Sequence, residues 1–238
     1  MIQLHGKCIC EVQRVVNRIS MSRFKFGQLL LKRSFGASLL ASFGILSFSL
    51  IAHAHHPLGG QTPSNFLEGF LSGVGHPVIG IDHLVFVIAI GLMATVVRQG
   101  AWILLVFVST ALLGTGIHLQ SWDLPAPEFF ISASVLIFGS LLALKQSLNP
   151  GLSMALAALA GLFHGYAYGE AIVGAEMAPL LAYLVGFSVI QLAIAALAYR
   201  GGQAFAPSSS DQPALPLRFA GFAIAGMGLA FVSTVLLG

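Results

Sequence analysis

From Val78 to Leu237 the chain is a succession of six apolar stretches nearly free of charge: Val78–Val97, Ala101–Leu119, Glu128–Gln146, Leu152–Gly174, Ala178–Tyr199 and Leu217–Leu237. A helix rises about 1.5 Å per residue, so roughly 20 apolar residues match the hydrocarbon thickness of a bilayer. With 57% hydrophobic and 8% charged residues, the composition leaves no room for a soluble domain. The expected fold class is all-α, a polytopic membrane protein built as a bundle of six transmembrane helices after an N-terminal signal peptide.

Charge orients the bundle. From His55 onward the basic residues are Arg98, Lys145, Arg200 and Arg218, which fall in the loops after the first, third and fifth spans. The opposite loops carry Asp123, Glu128 and Glu176 and no Lys or Arg. The positive-inside rule then makes the first, third and fifth loops cytoplasmic and both termini periplasmic, in a bacterial inner membrane.

The N-terminal layout agrees. Arg23, Lys25, Lys32 and Arg33 precede an apolar run from Ser34 to Ile51, and Ala52-His53-Ala54 is an A-x-A cleavage pattern. This is the arrangement of a secretory signal peptide, with an uncleaved anchor as the alternative. Translation is expected to start at Met21 and cleavage to follow Ala54. The expected organisation is residues 1–54 as extension and signal, 55–77 as a periplasmic segment and 78–238 as a six-helix permease domain.

Cleavage would leave four basic residues against seven acidic ones, so the pI of 9.1 for the whole chain implies no nucleic-acid partner. Cys8 and Cys10 both lie in the removed portion, which excludes disulfides and thiolate chemistry. Any metal must be held by nitrogen and oxygen. Gly201 to Pro216, rich in Gly, Pro, Ser and Ala, reads as a cytoplasmic connector.

Two clusters interrupt the apolar pattern. The first is Gly75-His76-Pro77-Val78-Ile79-Gly80-Ile81-Asp82-His83-Leu84. Ionisable groups inside a membrane are costly and mark a site. Pro77 suits the first turn of a helix, with His76 near its cap. At about 100° per residue, His83 returns to within about 20° of His76, and Asp82 lies about 100° away from His83. The three converge only if Gly80 bends or loosens the helix, which would also free carbonyl oxygens. The second cluster is Gly161-Leu162-Phe163-His164-Gly165-Tyr166-Ala167-Tyr168-Gly169-Glu170. Its glycines at every fourth position form a stripe for close helix approach, His164 and Tyr168 are expected on the same face, and Glu170 lies about 120° from His164.

By depth, Asp82, His83, His164 and Glu170 belong between the membrane centre and the outer face, joined by His118 at the outer end of the second span. Imidazole with carboxylate suits a divalent first-row cation. Taken singly, each His has an equally plain reading as a helix–helix hydrogen bond.

The patterns His76-x5-Asp82-His83 and Phe163-His164-Gly165-x-Ala167-x-Gly169-Glu170 resemble the two signature motifs of the HupE/UreJ family, membrane permeases for nickel or cobalt associated with hydrogenase and urease maturation. The resemblance covers about residues 50 to 238. It implies that His76, Asp82, His83, His164 and Glu170 carry metal through the membrane, with Ni2+ or Co2+ as cargo and no permanently bound cofactor. One departure stands out: the family usually has His where this chain has Tyr168. A phenol stays protonated at neutral pH and is a poor ligand for Ni or Co, so Tyr168 is expected beside the ligands, fixing the tautomer of His164.

Cleavage after Ala54 would expose the amine of His55 beside His56, an arrangement suited to capturing a cation, while Glu68, Asp123, Glu128 and Glu176 would enrich cations near the mouth. No P-loop and no HExxH is present, so ATP hydrolysis and zinc-protease chemistry are not expected and the chain reads as a non-enzyme. A haem-binding electron carrier and a metal-binding accessory protein that does not transport are the alternatives. The expected partners are a divalent metal ion, the lipid bilayer and, functionally, a hydrogenase or urease, with homo-oligomerisation left open.

Overall fold

The computed structural model describes residues 61–144, 149–205 and 215–238. The signal segment, His55, His56, Lys145 and most of the Gly201–Pro216 connector lie outside the described residues. These fold into seven helices: α1 (Phe66–Ile79), α2 (Ile81–Val96), α3 (Ala101–Leu119), α4 (Pro127–Ala143), α5 (Pro150–Glu170), α6 (Met177–Gln203) and α7 (Leu215–Leu237). No strand occurs among the described residues.

Helices α2 to α7 correspond to the six apolar stretches, whereas α1 lies almost wholly in what the sequence presented as a periplasmic segment. Its start is set by local chemistry. Asn65 Oδ1 accepts the Glu68 backbone N–H at 3.0 Å, and the Glu68 carboxylate accepts both the N–H and the hydroxyl of Ser64 at 2.8 Å. That reciprocal pairing satisfies donors that an uncapped first turn leaves open. Pro77 therefore falls inside α1 rather than opening a helix, and His76 sits in the last turn of α1. Proline there withholds the N–H that would bond the Gly73 carbonyl, loosening the helix just before it ends. At Gly80 the backbone turns extended (ψ 102°), and α2 restarts with Asp82 in its first turn, where a carboxylate suits the positive end of the helix dipole. The two helices meet at 79°.

Helices α3, α6 and α7 are each long and apolar enough to cross a membrane, and the bent pair α1–α2 is so when taken together, as a broken span or a re-entrant loop. Helix α4 is a shorter apolar helix of 17 residues. Helix α5 has 21 residues but carries His164, two tyrosines and Glu170. The chain is a membrane protein.

Glycine sets how closely the helices approach. A Cβ at Gly161 or Gly165 would run into the Phe107 or Ala111 carbonyl, drawing α5 against α3, and the Thr115 hydroxyl donates to the Gly165 carbonyl at 2.7 Å. Gly139 and Gly228 likewise bring α4 against α7. Gly69 and Gly73 lay α1 on the backbone of α6 at Pro179 and Tyr183, and Gly91 lays α2 on α6 at Ala195. Small residues at such contacts replace hydrophobic driving force with close van der Waals packing. The stripe of Gly161, Gly165 and Gly169 thus faces α3, whereas His164 and Tyr168 contact residues of α1 and α2. The sequence had placed them on one face.

The Arg218 side chain donates to the Ala143 carbonyl at 3.0 Å, joining the start of α7 to the end of α4. Arg98 and Arg200 follow or close α2 and α6, so this is the basic end of the bundle. The core divides along the bundle. Phe86, Ile90, Met93, Phe107, Phe138 and Leu142 fill one part, and Tyr168, Ile172, Tyr183 and Phe187 another.

Candidate metal centre

The break at Gly80 brings the imidazoles on its two sides together. His76 and His83 stand with ring centroids 5.7 Å apart, and both are buried. A Cβ at Gly80 would lie 2.6 Å from His83 Cδ2, so only glycine leaves the ring its place. Tyr168 of α5 lies against both, 5.1 Å from His76 and 4.7 Å from His83 between centroids. His164, one turn earlier on α5, meets His83 Nδ1 to Nδ1 at 2.8 Å. Phe86 stacks on His164 at 4.3 Å, within an apolar enclosure.

Hydrogen-bond bookkeeping assigns the tautomers. Ser134 of α4 donates its hydroxyl hydrogen to the Ile131 carbonyl at 2.6 Å. Having one hydrogen, Ser134 Oγ must accept at 3.0 Å from His164 Nε2–H. A neutral imidazole has one N–H, so His164 Nδ1 accepts from His83 Nδ1–H. The lone pair of His83 is then on Nε2. A second chain does the same for His76. Tyr183 of α6 donates its hydroxyl to the Tyr168 carbonyl at 2.7 Å, so its oxygen accepts from His76 Nδ1–H at 3.0 Å. The lone pair of His76 is also on Nε2. Two imidazoles, each oriented through Nδ1 by a partner deeper in the protein, have the form of metal-binding histidines.

The model for the HupE / UreJ protein family matches residues 43–231. The chain belongs to the HupE/UreJ family. Among its relatives, Protein HupE of Rhizobium leguminosarum bv. viciae is 26% identical over 153 residues, covering 63% of this chain and 75% of that protein. No solved structure matches the chain. The HupE/UreJ family is one of accessory or transporter type, associated with nickel and cobalt in hydrogenase and urease function.

The remaining motif residues of this HupE/UreJ protein are placed less centrally. Asp82 is partly exposed, and its Oδ1 accepts the His83 backbone N–H at 2.8 Å, so the carboxylate serves the start of α2 beside the imidazoles. Glu170 is the exposed last residue of α5 and has no side-chain hydrogen bond among the described residues. His118 stands apart, its ring 4.5 Å from Tyr166 and its Cβ against Gly169, and its Nδ1 is buried without a hydrogen-bond partner among the described residues. Tyr166 in turn reaches Asp123 at 3.5 Å. Among the described residues no three His, Cys, Asp or Glu side chains are arranged to hold a metal ion.

Sequence reasoning passed over Ser134 and Tyr183, which orient the two imidazole systems. The one signal each offered is a polar group inside an apolar helix. It also placed Tyr168 beside His164, whereas the tyrosine ring packs on His76 and His83, and Ser134 fixes the His164 tautomer.

Proposed function

We propose that this HupE/UreJ family member is a membrane permease that takes up a divalent transition-metal ion, Ni2+ or Co2+, to supply hydrogenase or urease maturation. The observation that carries the reading is the pair of hydrogen-bond chains that put the Nε2 lone pairs on His76 and His83, on opposite sides of one broken membrane helix. Imidazole nitrogen suits Ni2+ and Co2+, and Asp82 at the start of α2 adds negative charge beside the pair. Two nitrogen donors leave the other coordination positions to water, so the ion is held weakly enough to be released.

In this reading the chain crosses the inner membrane six times with both termini outside, after removal of a signal peptide. The cation arrives from the outer face, loses part of its water to His76 and His83, and leaves toward the basic end. His164 serves as the group that orients His83, and Glu170 at the outer end of α5 attracts the ion. Proton exchange at Asp82 would couple uptake to pH, and a pH-independent uptake rate in vesicles would rule that out. His83 and His164 touch directly and both nitrogens of His164 are engaged, by His83 and by Ser134, which disfavours a haem clasped between them.

The test is uptake of radioactive nickel, with Co2+ as competitor, in cells expressing the wild-type chain, His83→Ala or Asp82→Asn at matched membrane abundance. Loss of uptake in both variants supports the permease. Equal uptake in all three retires it and brings forward an accessory role in which metal is bound without being moved.

A further inference from the structure

Gln191, midway along α6, is wholly buried, and neither the nitrogen nor the oxygen of its amide has a hydrogen-bond partner among the described residues. The Tyr168 hydroxyl, equally buried, also has none among them. Buried polar atoms are almost always paired, and inside a bilayer no bulk water rescues them. Orphaned atoms in a membrane bundle therefore call for an occupant that is itself polar, such as water or an ion.

Their positions agree on where it would sit. Helices α1 and α2 each touch the α6 backbone at a glycine, Gly73 at Tyr183 and Phe187, and Gly91 at Ala195. Between those contacts the α1–α2 chain is much longer than the stretch of α6 it spans, so it bows away from α6, and the bow contains His76, Gly80 and His83. Gln191 lies one helical turn from Phe187 and one from Ala195, on the α6 face turned toward that bow. Phe187 in turn stacks 5.5 Å from Tyr168, whose ring lies 4.7 Å from His83. Phe187 thus stands between the Tyr168 ring and the turn of α6 that carries Gln191.

We infer that the Gln191 amide oxygen forms a second station for the divalent cation, with the neutral Tyr168 hydroxyl bonding to the ion's water, between the imidazole pair and the basic end of the bundle. The inference rests on the permease reading. Oxygen donors bind Ni2+ and Co2+ less firmly than imidazole does, so such a station receives the ion and passes it on. The amide oxygen faces the hydrated cation and the amide nitrogen donates to its water, which satisfies both atoms.

The experiment compares nickel uptake and thermal midpoint in detergent for the wild type, Gln191→Leu and Tyr168→Phe. Leucine fills the same space without polar atoms, and phenylalanine keeps the ring contacts with His76 and His83. If the station exists, both variants keep or raise their midpoint while uptake falls about tenfold for Gln191→Leu and severalfold for Tyr168→Phe. Uptake by Gln191→Leu equal to wild type overturns the station and leaves the permease intact. A lowered midpoint for both variants, with uptake per folded molecule unchanged, assigns the two groups to the fold and also overturns it. No uptake by the wild type overturns the permease reading, and the station with it.

Discussion

His83 and His164 meet Nδ1 to Nδ1 at 2.8 Å, and because Ser134 accepts the single N–H of His164, at Nε2, the hydrogen between the rings belongs to His83. The two imidazoles thus form one hydrogen-bonded unit, His164 holding His83 in a single tautomer. That relationship gives Ser134, far from either sequence motif, a measurable effect.

Ser134→Ala removes the acceptor for His164 Nε2–H and lets the His164–His83 pair exchange tautomers. Loss of such an orienting partner typically lowers metal affinity 10- to 100-fold. The expected result is a KM for nickel uptake raised about tenfold, with uptake at saturating nickel largely retained. An unchanged KM would show that Ser134 does not govern the lone pair of His83.

Tyr183→Phe strips the acceptor from His76 Nδ1–H and the donor from the Tyr168 carbonyl in one step. Two buried groups each lose a hydrogen bond worth about 1 kcal/mol. Thermal denaturation in detergent should show a lowered midpoint, and calorimetric titration with Ni2+ should show weaker binding.

Gly80→Ala places a methyl group 2.6 Å from His83 Cδ2. The ring must swing away, which breaks its hydrogen bond to His164. Helix content by circular dichroism should be preserved, because Gly80 already lies between two helices, while nickel binding falls about tenfold or more. Binding at wild-type affinity would mean that the imidazoles need no fixed geometry.

Tyr168→His puts an imidazole where the tyrosine ring now touches both His76 and His83. A third nitrogen donor should tighten Ni2+ binding about tenfold and slow its release, so that maximal uptake drops as affinity rises. Equilibrium binding and uptake measured on the same preparation separate the two effects.

Much of the site was legible in the sequence, for reasons that differ residue by residue. Glycine at position 80 between His76 and His83 announced the bend on which their convergence depends. The spacing of four between His164 and Tyr168 gave their shared face, because helical periodicity is a local property. Helix α1 was hidden because its 14 residues fall short of a span and carry Gly69, Gly73, Gly75 and Pro77, all weak helix formers. The carboxylates stand at helix ends, Asp82 in the first turn of α2 and Glu170 as the last residue of α5, places that composition alone does not reveal. Ser134 and Tyr183 could not be read at all, since their pairing depends on which helices pack together. No periodicity within one helix encodes that choice.

The hydrogen bonds that set the two imidazoles close over long stretches of chain, 81 residues from His83 to His164 and 107 from His76 to Tyr183. Synthesis runs from the N-terminus, so both histidines enter the membrane well before the groups that orient them exist. A nascent chain that ends ahead of His164 carries the His76-to-His83 motif intact and yet has neither tautomer fixed, and one truncated ahead of Tyr183 still lacks the group that orients His76. On the permease reading, competence to hold metal is therefore acquired late in biogenesis, when α6 docks on α1, and a stalled insertion product should not sequester the ion.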